Sequence, residues 1–224
     1  MIFIHGAGLN ASIWTHQIHA FPHAHFPTLE RTPAHPPSVH DFTNFLASYM
    51  TVHEMEPPVL VGHSLGGGIA MDFALTYPHL IRGLILVCAS PVFRVPPDFL
   101  EMILSDFVGF IQTIISMGFS PHAPESTWEA CEHSMKTVGA VNVYHDYVCA
   151  NSFDIQDQID KITAPTLILA AAEDTMIPLE ISTFLSERVE NSCLRIIPGS
   201  GHMLILEQPA QVNAEIASFI DRLG

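Results

Sequence analysis

An α/β domain built on a mostly parallel sheet of about six strands is predicted by three features of this 224-residue sequence. Short runs rich in Val, Ile and Leu recur along it, they lack the apolar/polar alternation of a sheet with one wet face, and helical segments separate most of them. A strand buried on both faces needs no polar side, so continuous apolar runs alternating with amphipathic helices imply a parallel sheet covered by two helical layers.

The first run, "MIFIH", leads into the small-residue turn "HGAGLN", where Asn10 is placed to cap a following helix. "HFPTLE" reads as the second strand, and "SVHDFTNFLASYM" as a helix opening at Ser38. "PPVLVGH" is the third strand and passes directly into the helical "SLGGGIAMDFAL". "RGLILVCA" follows as the fourth, "APTLILAA" as the fifth and "SCLRIIP" as the sixth. The helices "PLEISTFLSERV" and "QPAQVNAEIASFIDRL" carry Pro178 and Pro209 at or near their first positions, where a missing N–H costs nothing.

The alternation stops between about residues 91 and 162. "DFLEMILSDFVGFIQTIISMGF" spaces Phe99, Ile103, Phe107, Phe110 or Ile111, and Ile114 at helical intervals, and two further helical stretches continue it. A helical cap inserted into a single domain spanning 1–224 is expected.

Composition narrows the functional classes. With 23 acidic against 8 basic side chains, the net charge of -15 disfavours nucleic acid and anionic membranes, and uncharged small molecules fit better. Cys88, Cys131, Cys149 and Cys193 lack any C-x-x-C pairing and read as reduced thiols, which points to the cytoplasm. No secretory signal or spanning segment is read, and a monomer or homodimer is expected. Fourteen histidines make the charge sensitive to mild acid. The cluster "HQIHAFPHAHF" (His16, His19, His23, His25) lacks Cys or Glu partners at zinc spacing and is broken by Pro22, so no metal is assigned to it.

The chemistry is carried by "VLVGHSLGGGIAMDF". Gly62, Ser64 and Gly66 form G-x-S-x-G between a buried strand and a small-residue helix, the context in which a serine sits on a strained turn with its hydroxyl projecting outward. His63, inside the motif, reads as a packing or supporting residue. The turn lacks the Lys of a phosphate-binding loop and the glycine spacing of a dinucleotide site.

A serine hydroxyl needs a base and a group that orients the base. "AEDTMIP" places Asp174 in a loop at a strand's carboxyl end, with Glu173 as its nearest competitor. "GSGHM" places His202 in a glycine-flanked loop before the last helix. Oxyanion donors are expected from the Leu65 amide and from "HGAG", with Ala7 preferred and Gly8 as the alternative.

In that order, "HGAG", "GHSLGG", "AAEDTMIP" and "GSGHM" resemble the α/β-hydrolase superfamily, specifically its small bacterial carboxylesterases and related serine hydrolases. The resemblance covers nearly the whole chain. It implies the α/β-hydrolase fold, Ser64 as nucleophile, His202 as base, Asp174 as orienting acid, Ala7 and Leu65 as oxyanion donors, and no cofactor or metal. Three departures stand out. The family's first two strands are not in this sequence, "ERTPAHPP" stands where relatives have an acidic residue and an "RGHG" turn, and Ala171 stands where they often have glycine. The edge near "HFPTLE" then needs shielding, by "TPAHPP" or by a partner subunit. The activity implied is hydrolysis of short- to medium-chain neutral esters. Carbon–carbon hydrolases, thioesterases, lactonases and cofactor-free peroxidases share the triad, and a non-catalytic binding protein is the reading from a different class.

Overall fold

The computed structural model describes residues 1–31 and 35–224. Among them, five strands form one parallel sheet: β1 (Ile2–Ile4), β2 (Val59–His63), β3 (Gly83–Val87), β4 (Thr166–Ala171) and β5 (Ser192–Ile197), in spatial order 1-2-3-4-5. The helices are α1 (Thr15–Ala20), α2 (Val39–Val52), α3 (Leu65–Thr76), α4 (Pro97–Ser105), α5 (Phe107–Gly118), α6 (Trp128–Val138), α7 (Ala140–Asn151), α8 (Leu179–Arg188), α9 (Leu204–Glu207) and α10 (Pro209–Leu223).

β2, β3 and β4 are buried along their whole lengths, which is why their sequences are continuous apolar runs. Phe3, Val61, Ile85, Val87, Leu167 and Leu169 face one layer, where Ile13, Trp14 and the α10 residues Val212 and Ile216 cover them. Ile2, Ile4, Leu60, Leu84, Leu86 and Ile168 face the other, under Phe42 and Leu46 of α2, Ile69 and Phe73 of α3, and Leu185 of α8. Each fully buried Leu, Ile or Phe contributes about 1.5–3 kcal/mol relative to exposure, so these two layers dominate stability.

The expected sixth strand is reduced to one bridge. "HFPTLE" pairs with the sheet only through Ile2 and His25, joined by Phe3 N–H to His25 O at 2.8 Å and His25 N–H to Met1 O at 3.0 Å. Pro27 has no N–H to extend the ladder, and Phe26 instead stacks on Phe3 with ring centroids 4.6 Å apart. Of the segment expected to shield this edge, Thr32, Pro33 and Ala34 lie outside the described residues.

Local signals act where the sequence places them. Ser38 and Asp41 form a reciprocal capping box at the start of α2, and Asn10 accepts from Ser12 N–H at 2.9 Å. Helices α4 to α7 all lie between β3 and β4. Asp106 divides the long helical stretch in two, because its side chain accepts from Gly109 N–H at 3.0 Å and starts α5 afresh.

Candidate active site

The carboxyl ends of β1, β2 and β4 and the loop after β5 converge on one cavity of about 360 Å³. Ala7, Ser64, Leu65 and His202 line its floor, and its walls are chiefly apolar, including Val95, Phe99, Tyr147, Ala150, Met176 and Ile181.

Ser64 occupies the turn from β2 into α3 at φ 54° and ψ -122°, outside the regions favoured by L-residues. Its amide donates to Val87 O at 3.0 Å, pinning the turn to β3. The glycines permit the close crossing: a Cβ on Gly62 would strike the Gly66 carbonyl, and one on Gly66 would strike the Ile4 carbonyl. Leu65 opens α3, so its amide is one of the first-turn donors that a helix leaves unpaired.

Asp174 follows β4 and is buried. Its Oδ1 accepts from the amides of Met176 at 2.9 Å and Ile177 at 2.8 Å, and its Oδ2 lies 2.8 Å from His202 Nδ1. Burial opposes ionisation, but the neighbouring His202, the hydrogen bond to it and the two amides outweigh burial and hold the carboxyl below the usual range. An ionised carboxylate only accepts, so His202 Nδ1 carries the hydrogen and Nε2 is left as the basic nitrogen. Glu173, the competing acid, is exposed.

The His202 loop is held by groups the sequence did not single out. Glu207 accepts from Gly201 N–H at 2.8 Å and from Ser120 N–H at 2.9 Å, and Met203 N–H donates to Gly118 O at 2.8 Å. A Cβ on Gly201 would sit 2.9 Å from the Gly118 carbonyl, which accounts for a small residue beside the histidine. His63 reaches beneath it, Nε2–H donating to His202 O at 2.9 Å. Burial, aided by nearby His202, pushes His63 down to about 3, so the ring is neutral.

Cys88 follows β3 at φ 46°, a second strained non-glycine residue beside the site. Cys88, Asp174 and His202 bring potential metal ligands within 4.8 Å of one another. The 2.8 Å hydrogen bond already occupies His202 Nδ1 and Asp174 Oδ2, and burial followed by the charge of Asp174 raises the Cys88 thiol, keeping it protonated. That donor set suits a hydrogen-bonded dyad better than a cation.

Gly8 N–H is not directed at the cavity. It donates to Oδ2 of Asp146 on α7 at 2.8 Å. Neither Asp146 nor its partner Arg31 carries a sequence signal, since 115 residues separate them.

The alpha/beta hydrolase family matches residues 1–215, and the chain belongs to that family. It is 24% identical to the pimeloyl-[acyl-carrier protein] methyl ester esterase of Pectobacterium atrosepticum, over 98% of this chain and 93% of that protein. It is 27% identical to a proline iminopeptidase of Saccharolobus solfataricus, over 74% of this chain and 62% of that one. In three dimensions it matches an esterase from Exiguobacterium antarcticum at a TM-score of 0.92 and 19% identity, covering 98% of this chain and 91% of that one. No helix among the described residues is long and apolar enough to cross a membrane.

Proposed function

We propose that this hydrolase is a carboxylesterase acting on short- to medium-chain neutral esters through an acyl-enzyme on Ser64. The observation that carries the reading is a strained serine sharing a cavity with His202, whose Nδ1 is fixed 2.8 Å from a buried carboxylate.

His202 Nε2 takes the proton as Ser64 Oγ adds to the ester carbonyl, and Asp174 stabilises the imidazolium that results. The amides of Leu65 and Ala7 face the oxyanion. Gly8 is the weaker alternative because its N–H is committed to Asp146. Protonated His202 then donates to the departing alkoxide, and water attacks the acyl carbon with His202 again as base. No cofactor enters the scheme.

The apolar walls and a volume of about 360 Å³, near the lower end for small-molecule sites, favour an uncharged acyl group of limited length. Arg94 lines the cavity but pairs with Asp154 at 2.8 Å, which weakens the case for a carboxylated carbon–carbon hydrolase substrate. The domain is read as one unit capped by residues 91–162. Four free cysteines support a reducing, cytoplasmic setting, and the acidic surface supports a monomer or homodimer without a nucleic-acid partner.

Hydrolysis of p-nitrophenyl esters from acetyl to dodecanoyl by the wild type and Ser64→Ala tests the reading. A loss of about a thousandfold or more in the variant, with wild-type activity highest on short chains, is the expected result. A wild type without turnover on any chain length overturns it.

A further inference from the structure

We infer that Arg31 and Asp146 are positioning residues that make the cap a working part of the oxyanion loop, a role that rests on the esterase reading above. The pair is buried, with side-chain exposures of 7% and 2%, and is made by contacts from Arg31 Nε to both carboxylate oxygens at 3.0 and 3.2 Å and from Nη2 to Oδ2 at 2.8 Å. A buried ion pair is a weak device for stability, because desolvation offsets its attraction. What such a pair supplies is position, and its remaining bonds show what it positions.

Two of those bonds fall on the turn that presents Ala7, and the third, from Arg31 Nη1 to Leu29 O at 3.4 Å, lies within Arg31's own segment. Asp146 Oδ2 accepts from Gly8 N–H at 2.8 Å, and Arg31 Nη2 donates to Leu9 O at 2.7 Å. The turn is therefore gripped on both sides of Gly8, which adopts φ 69°, in the left-handed region. On the side of the strand, neutral His5 closes the frame: its Nε2 accepts from Leu29 N–H at 3.1 Å, which leaves Nδ1–H to donate to Gly6 O at 3.0 Å.

The cap contributes a whole helical face. Asp146 lies three residues beyond Val143 and one before Tyr147 on α7. A Cβ on Gly8 would lie 3.1 Å from Val143 Cγ1, and Tyr147 lines the cavity. One face of α7 thus packs on the oxyanion turn, bonds its amide and walls the substrate site. α6 adds a second tie, Ser134 Oγ accepting from Asn10 N–H at 2.9 Å. The α6–α7 half of the cap cannot swing away without breaking the ion pair and leaving Gly8 N–H without its acceptor, so it is a fixed wall and not a lid.

The oxyanion develops on the way to the tetrahedral intermediate and is absent in the bound substrate. Loosening the turn therefore lowers kcat and leaves KM nearly unchanged, whereas a merely structural or substrate-binding role changes Tm alone or KM. Asp146→Ala, which removes the acceptor, is expected to lower kcat by about 10- to 100-fold with KM within about twofold, and to weaken an alkyl trifluoromethyl ketone, which forms the tetrahedral adduct, by the same factor. Asp146→Asn retains an acceptor for Gly8 N–H and is expected to recover part of the loss. Folded Asp146→Ala with wild-type kcat, or with raised KM and unchanged ketone affinity, overturns the proposal. If Asp146→Ala does not fold, Asp146→Asn and Ser134→Ala decide it on the same two readouts, and wild-type values in both overturn it. Absence of ester turnover in the wild type removes the esterase reading and this role with it. Normal wild-type turnover with unaffected variants removes this role alone.

Discussion

The imidazole of His63 donates from Nε2 to the main-chain carbonyl of His202 at 2.9 Å, so the residue preceding the elbow serine supports the loop bearing the basic imidazole. The rings lie 4.9 Å apart, and among the described residues His63 Nδ1 has no hydrogen-bond partner. This bond ties the position of Ser64 to that of His202 through one side chain. His63→Ala leaves a buried carbonyl without its donor, a cost of about 1–3 kcal/mol, and releases the loop. We expect a lower melting temperature and a kcat reduced about tenfold, with partial recovery in His63→Gln, whose amide can donate. Parallel thermal melts and ester kinetics check this, and unchanged kcat in a folded His63→Ala would show the loop to be held by Glu207 and Met203 alone.

We expect His5 and His63 to lower the stability of the fold in mild acid. Burial pushes each down to about 3, with Arg31 also acting on His5 and His202 on His63, against an ordinary value of 6.5. The unfolded chain then binds more protons than the folded one between those values. Their contribution to stability should be fully present above about pH 6.5 and be lost as pH falls toward 3, at a rate approaching about 1.4 kcal/mol per pH unit for each histidine. Asp174, held low in the folded state, gives a contribution present above its unfolded value of 3.8 and lost as pH falls through its folded one. Chemical denaturation from pH 7.5 to 4 should show falling stability well before the carboxylates titrate, and a flatter slope in His63→Gln. The same two rings reduce the surface effect of acid, since the fourteen histidines less these two leave at most twelve to offset a net charge of -15.

Much of the site was legible because its constraints are local. Gly62 and Gly66 are glycines since a side chain at either meets backbone, and Asp174 and His202 each sit just after an apolar run. Ser38 and Asn10 cap what they were expected to cap. "HFPTLE" misled because Phe26 packs by ring stacking on Phe3 and Leu29 is buried in the layer with Phe42 and Leu46, neither through sheet pairing, which stops at the His25 bridge. The break at Asp106 has no Gly or Pro to announce it, only a side chain turned back on Gly109. The tie from Arg31 through Asp146 to Gly8 was invisible for a different reason: ion pairs between distant segments leave no periodic trace, and only the fold brings them together.

The elbow stores strain that a substitution can release. A non-glycine residue at φ 54° costs on the order of 1–3 kcal/mol, and glycine adopts that region freely. Ser64→Gly should therefore melt a few degrees above Ser64→Ala, about 2–4 °C per kcal/mol for a chain of this size, while both are expected to lose ester turnover by about a thousandfold or more. Differential scanning calorimetry of the pair reads the difference. Equal melting temperatures would mean that the neighbouring crossing absorbs the strain.

We expect Phe99 to limit the acyl group. It lines the cavity from α4 and meets Phe110 edge to face, with ring centroids 6.0 Å apart. Phe99→Ala removes an aromatic pair worth about 0.5–1.5 kcal/mol and opens room along an apolar wall. Each additional methylene that the enlarged cavity buries contributes about 0.8 kcal/mol, so two of them change the relative preference by roughly 15-fold. The ratio of kcat/KM for octanoyl over butanoyl ester is accordingly expected to rise about tenfold in Phe99→Ala, with kcat on the acetyl ester changed by less than about threefold. A ratio that stays at the wild-type value in a folded variant would place the acyl chain elsewhere in the cavity, against Met176 and Ile181, and assign this wall to the alcohol group.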